Sequence, residues 1–92
     1  MKRMPTREQV ERIRLQYPPG TQVELISMPE DPRPVPPGTR GEVMAVDDAG
    51  LLVMKWSNGR SLSLIPGVDQ FRILTEQEIA REQTVTMGGM HL

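Results

Sequence analysis

Apolar residues in the first part of the chain follow the period of an α-helix. The apolar stripe of this helix comprises Val10, Ile13 and Tyr17. Thr6, followed by Gln9 three residues later, forms a capping box, which marks a helix N-terminus. The Pro18-Pro19-Gly20 run cannot continue the helix. The pattern therefore predicts an amphipathic N-terminal helix within residues 1–16.

In residues 17–74 the pattern changes to short apolar runs and alternations that are typical of strands. We predict five strands, at residues 22–28, 39–46, 51–57, 60–64 and 71–74. Pro-Pro-Gly-Thr occurs at residues 18–21 and again at residues 36–39, where it suits a type II turn with glycine third. We interpret it as one turn solution used before two strands rather than as an internal repeat.

The order of these elements determines the predicted fold. Residues 28–37 contain five prolines, so they form an extended loop and not a central strand. A long first loop, two tight hairpins, a single turn and a short last strand indicate an SH3-like barrel, and no helix fits where an OB-fold would need one. We therefore predict a mainly β protein, with a small SH3-like five-stranded barrel at residues 17–74. In residues 75–92, a second capping box at Thr75 and Glu78 predicts a short helix that is followed by a flexible tail.

Two hairpin turns set the expected register of the strands. For Asn58-Gly59 we choose a three-residue loop, which places Trp56 opposite Arg60 and gathers the large apolar side chains on one face. A four-residue loop at residues 47–50 would pair Ala45 with Leu52, and Val43 with Met54. The predicted inner face comprises Val43, Ala45, Leu52, Met54, Trp56, Leu62 and Leu64, with Val23, Leu25, Val68 and Phe71 as further members.

The same register leaves an apolar patch on the opposite, outer face. Its members are Met44, Val46, Leu51 and Val53, with Glu42 and Lys55 paired at the rim. An apolar patch on the outside of a small domain needs a cover. One cover is the first helix, through Val10, Ile13 and Tyr17. The other is a partner protein or a second copy of the chain, which would make Met44, Val46, Leu51, Val53, Val10 and Ile13 the interaction residues.

Little in the chain suggests catalysis. It has 92 residues, no cysteine and one histidine, His91, in the predicted tail. Without a histidine in a fixed element, the serines have no base for nucleophilic catalysis. Asp47 and Asp48 suit a turn rather than a metal site. We therefore expect a protein that is not an enzyme and that has no catalytic residue, metal or cofactor.

Charge supports a second hypothesis, that the partner is a nucleic acid. The net charge is −1, but basic residues are concentrated near the N-terminus. The candidate contacts are Arg3, Arg7, Arg14, Lys55 and Arg60. Three aromatic residues are few for a protein that stacks on bases, so protein binding remains the leading interpretation. A weaker alternative is an oligomer that holds a small ligand between its subunits.

The chain has no apolar run near the roughly 18 residues of a membrane span. Its basic N-terminus is not followed by the apolar region of a signal peptide. We therefore expect a cytoplasmic protein that does not bind membranes.

Five short runs in fixed order carry a resemblance to a known family. They lie at residues 17–25, 36–43, 46–50, 56–62 and 65–71. Together they resemble the domain of unknown function DUF4314 over residues 17–74, with Ser57 as a departure from the Asp that is more usual before the Asn-Gly. The resemblance implies a setting in Firmicutes, their phages and mobile elements, where an accessory or anti-defence role is expected. It implies no catalytic residue.

Overall fold

The structure, a computed structural model, describes residues 5–81. The predictions for Arg3, His91 and the C-terminal tail lie outside these residues. The main elements are helix α1 (Arg7–Gln16) and the strands β1 (Gln22–Ser27), β2 (Arg40–Val46), β3 (Leu52–Trp56) and β4 (Gln70–Ile73). A short second helix covers residues 76–81.

Both predicted capping boxes are confirmed. At α1, the backbone N–H of Gln9 donates to Thr6 Oγ1 at 3.1 Å, and the N–H of Thr6 donates to Gln9 Oε1 at 2.8 Å. At the second helix, Thr75 and Glu78 exchange the same two hydrogen bonds at 3.1 and 2.9 Å. Each box satisfies two N–H groups that a helix start leaves without partners.

The four strands form one antiparallel sheet in the order β3-β2-β1-β4. The mainly β prediction is confirmed, but the predicted strand at residues 60–64 is wrong. This segment makes one isolated bridge, between Leu52 and Leu64. The indole N–H of Trp56 donates to the carbonyl oxygen of Leu62 at 2.7 Å. In a continuous ladder this carbonyl would instead accept the backbone N–H of Met54. Among the described residues the sheet is therefore open, and no closed five-stranded barrel forms.

A β-bulge at Met44 changes the predicted register of β2 and β3. Val43 pairs with Met54 as expected, but Ala45 pairs with Val53, and Val46 pairs with Leu52. The cause is Asp47, whose carboxylate accepts the N–H groups of Ala49 and Leu51 at 2.9 Å each.

These two bonds, with the N–H of Asp47 bonded to the Leu51 carbonyl, close a three-residue turn. The turn is one residue shorter than predicted, so β2 has one more residue than its partner, and the bulge accommodates it. As a result Ala45 faces outward, whereas the larger Val46 is buried at 8% exposure. The predictions of Ala45 on the inner face and of Val46 on the outer face are both wrong.

The core lies on the inner face of the sheet and under the proline-rich loop. The predicted core positions on β1, β2 and β3, apart from Ala45, are buried, and Leu62 and Phe71 pack against them. Val35, in the proline-rich loop, is fully buried, and its N–H donates to the Met28 sulfur at 3.4 Å. Arg60 fastens the same loop by donating to the carbonyls of Arg33 at 2.8 Å and Pro34 at 3.3 Å.

The central strands β1 and β2 are related by an approximate twofold axis that passes between Val23 and Gly41, which pair directly. Each strand follows a Pro-Pro-Gly-Thr turn, and each carries a bulge at the same place, at Ile26 in β1 and at Met44 in β2. The axis also exchanges the outer strands β3 and β4. The repeated sequence is therefore a repeated structure as well.

Candidate interaction surface

The outer face of the sheet has a charged half. Here Arg72 on β4 lies opposite Glu24 on β1 and donates to it at 2.9 Å. Arg72 also donates to Glu78 of the second helix at 2.6 and 2.9 Å. The hydrogen bond from Arg72, aided by the backbone N–H of Thr75, lowers the pKa of Glu78 to about 2. Hydrogen bonds to Glu78 and, to a smaller extent, to Glu24 raise the pKa of Arg72.

The other half of this face is apolar. Met44 and Ala45 of β2 and Val53 of β3 face outward together, because the bulge sets both β2 residues opposite Val53. Met44 is 47% exposed and Val53 is 37% exposed. We call these three residues the outer patch. Beside it, Glu42 lies opposite Lys55, as predicted.

The structure separates the six predicted interaction residues into three places. Met44 and Val53 are together on the outer patch. Val10 and Val46 are buried in the core, at 4% and 8% exposure. Ile13 and Leu51, both half-buried, line a groove of roughly 690 Å³ between α1, the β2–β3 turn and residues 65–68. Sequence reasoning missed Ala45, because its exposure depends on the bulge.

Helix α1 packs at one end of the sheet and leaves the outer patch open. Val10 joins the core, while Ile13 packs beside Gly50 in the β2–β3 turn, where an added Cβ would lie 3.2 Å from Ile13 Cδ1. Gly50 has φ +81°, a conformation that few other residues adopt, so the turn and the close approach of the helix both favour glycine. The first helix is therefore not the cover of Met44 and Val53.

Two of the predicted nucleic-acid contacts are used within the fold. Arg14 donates to the Val46 carbonyl at 3.2 Å, to Glu11 at 2.9 Å and to Asp48 at 3.1 Å. Hydrogen bonding to Asp48 is the main reason that the pKa of Arg14 is raised.

Arg60 holds the proline-rich loop through the two carbonyls described above. Arg7 and Lys55 are exposed. The structure therefore does not gather the four described candidates into one free basic surface.

The acidic residues of the turns have structural roles. Asp47 caps the β2–β3 turn, and Asp69, which is 8% exposed, accepts the backbone N–H of Ile65 at 2.8 Å. The prediction that Asp47 and Asp48 suit a turn is confirmed, since both lie in the β2–β3 turn. Across residues 5–81, no three acidic, histidine or cysteine side chains are grouped in a way that could hold a metal ion.

Neither helix within residues 5–81 is long and apolar enough to cross a bilayer. The sequence model of the family described as "Domain of unknown function (DUF4314)" matches residues 6–74, and this chain belongs to that family. The match begins before residue 17, where the recognised runs start, so it includes α1 as well as the sheet. No curated protein and no solved structure matches the chain.

Proposed function

We propose that this protein is a non-catalytic interaction module that binds a protein partner through the outer patch. The observation that carries the proposal is the exposure of Met44 and Val53 side by side on a sheet face. In the other half of that face, by contrast, Arg72 is paired with the carboxylates of Glu24 and Glu78.

The composition of the patch supports a protein as the partner. Protein interfaces combine an apolar centre with a polar rim. Met44, Ala45 and Val53 supply the centre, and the opposed Glu42 and Lys55 supply part of the rim. Methionine adds a flexible, polarisable side chain that adapts to partner surfaces.

The setting and the finer fold are also part of the proposal. The resemblance to DUF4314 sequences of phages and mobile elements supports an accessory protein that acts in the cytoplasm of a host cell. The bridge between Leu52 and Leu64 supports a distant relation to SH3-like barrels, since it lies where the predicted strand at residues 60–64 would pair with β3.

The test compares two variants in capture from host lysate, followed by quantitative mass spectrometry. Met44→Lys/Val53→Lys places two charges on the outer patch. Ile26→Lys, at the symmetry-related bulge and also 47% exposed, is the matched control. We expect a partner that binds the wild type and the control equally well. Its affinity for the double variant should be at least about tenfold lower, which corresponds to about 1.4 kcal/mol.

The proposal fails if every captured protein binds the double variant as well as it binds the wild type. Circular dichroism shows whether both variants keep the fold. If the double variant instead abolishes self-association of the pure protein, the occupant of the patch is a second copy of this chain.

The nucleic-acid alternative has less support, because Arg14 and Arg60 donate to groups within the fold. A mobility-shift titration tests it. Phosphate contacts are strongest at low salt, so the absence of a shift at about 50 mM salt would end this alternative. Native mass spectrometry tests the small-ligand alternative, which requires an oligomer that carries added mass.

A further inference from the structure

We propose that the free edge of β4 pairs with β4 of a second copy, which extends the sheet across a twofold axis. This inference goes beyond the proposed function, because it concerns the edge of the sheet rather than the outer patch.

The hydrogen bonds of β4 establish which of its backbone groups face outward. The N–H of Leu74 donates to the Gln22 carbonyl at 2.9 Å, which makes residues 72 and 74 the ones that bond to β1. Phe71 and Ile73 alternate with them and direct their N–H and C=O groups away from β1. Among residues 5–81, no backbone group bonds to this edge.

The approximate twofold axis within the chain shows that this edge differs from its counterpart. The counterpart of β4 is β3, whose outer edge is partly covered by residues 60–64. There Leu52 and Leu64 exchange two hydrogen bonds, at 2.9 and 3.0 Å. The edge of β4 has no such cover among the described residues, and Ile73 on it is 48% exposed.

The edge is complementary to itself in one register. An antiparallel pair centred on Arg72 sets Phe71 opposite Ile73 of the second copy, so the exposed apolar side chain meets an aromatic ring. The twofold axis generates a second such pair and hence four hydrogen bonds. A register centred on Phe71 would instead oppose Ile73 to Asp69, which is less favourable.

The charges on the outer face are compatible with this register. It brings Arg72 opposite Arg72 of the second copy, and like charges placed in this way repel. Each guanidinium, however, already bonds to the carboxylates of both Glu24 and Glu78. Two carboxylates for each Arg72 offset the repulsion across the axis.

The first test is the oligomeric state of Ile73→Pro by sedimentation velocity at increasing protein concentration. Proline removes the outward N–H of residue 73 and leaves the bonds between β4 and β1 in place. We expect the wild type to reach twice its 10.4 kDa mass and the variant to stay at 10.4 kDa. Ile73→Thr, which keeps the N–H, is the matched control and should still form the dimer.

The second test uses the absence of native cysteine. Arg72→Cys places its thiol at the proposed axis, where the opposed Cα atoms of a non-hydrogen-bonded pair are about 4.5 Å apart and close enough for a disulfide. Gln70→Cys is the control, because in this register residue 70 lies opposite residue 74 and its two copies are too far apart to join. We expect a crosslinked dimer on oxidation of Arg72→Cys and none with Gln70→Cys.

Three results would each overturn the inference. They are a wild type that stays monomeric at every concentration, a dimer that survives Ile73→Pro, and equal crosslinking at residues 70 and 72. A dimer lost only in Met44→Lys/Val53→Lys would assign the second copy to the outer patch instead. The failure of this inference is thereby distinguished from the failure of the proposed function.

Discussion

The segments 18–27 and 36–45 have nearly the same structure in different surroundings. In both turns, the threonine N–H and hydroxyl donate to the first proline carbonyl, at 3.1 and 2.7 Å for Thr21 and at 3.2 and 2.7 Å for Thr39. Both strands then place a glutamate on the outer face and bulge two residues later. The differences between the segments therefore show what each neighbouring strand requires.

The clearest difference is Val23 in one segment against Gly41 in the other. Both residues are buried at the axis, but Gly41 lies opposite Trp56, whereas Val23 lies opposite Ile73. A Cβ at residue 41 would lie 2.5 Å from Trp56 Cε3. The indole therefore occupies the space that a side chain at residue 41 would need.

The largest effect on stability is expected when Gly41 is replaced by valine, the residue at the symmetry-related position 23. Gly41→Val should destabilise the protein by about 3 kcal/mol, because the added atoms overlap a buried ring. Urea denaturation followed by circular dichroism measures this cost. The same Gly41→Val change in a Trp56→Leu background is the control, and most of the penalty should disappear there. An unchanged penalty in that background would show that the indole is not the cause.

A smaller and equal effect is expected at the two turns. Gly20 and Gly38 have φ +95° and +90°, and a Cβ added at either meets no atom within 4 Å. Alanine should therefore destabilise the protein only through the strain of a left-handed backbone conformation, by about 1 kcal/mol at each site. Equilibrium denaturation of Gly20→Ala and Gly38→Ala should give values within about 0.5 kcal/mol of each other, the usual scatter for independent sites. A larger gap would mean that the two turns are not equivalent in energy.

The smallest expected effect is a difference between the two cross-strand charge pairs in how stability depends on pH. Glu24 lies opposite Arg72, as Glu42 lies opposite Lys55, but only Arg72 also bonds to Glu78 among the described residues. Folding lowers the pKa of Glu78 from 4.5 to about 2, so its contribution is complete above pH 4.5 and is lost as the pH falls toward 2.

The measurement is the urea midpoint over that pH range for wild type, Glu78→Gln and Glu42→Gln. As the pH is lowered, the urea midpoint should decrease less in Glu78→Gln than in the wild type. In Glu42→Gln it should decrease as much as in the wild type. A fall in Glu78→Gln as steep as that of the wild type would contradict the assignment.

Features that depend on neighbouring residues were predictable from the sequence. The capping boxes at Thr6 and Thr75 involve residues three apart. The Asn58-Gly59 loop likewise gave the right partner for Trp56, whose N–H donates to the Arg60 carbonyl at 3.0 Å. Short-range hydrogen bonds of this kind are encoded locally, so a pattern of residue types is enough to identify them.

Features that depend on distant residues were not predictable in the same way. The Asp47 hydrogen bonds that shorten the turn are local. The bulge at Met44 also requires the core, which residues from distant parts of the chain form, because that core buries Val46 and leaves Ala45 outside. Val35 joins the core because Arg60, far along the chain, fixes the loop that carries it. Of the residues predicted for the outer face, Met44 and Val53 lie there, whereas Val46 is buried. Ala45, which was predicted to face inward, lies on the outer face.

The twofold relation of the sheet has a consequence for the order of folding. The turn between β2 and β3 is short, so this hairpin closes at low entropic cost. Its counterpart, the β1–β4 pair, joins Ser27 to Gln70 and must close a loop that contains both other strands. Contacts between residues that are far apart in sequence slow folding. We therefore expect two halves that are alike in the native state to form at different times, with the β2–β3 hairpin as the template on which β1 and then β4 assemble.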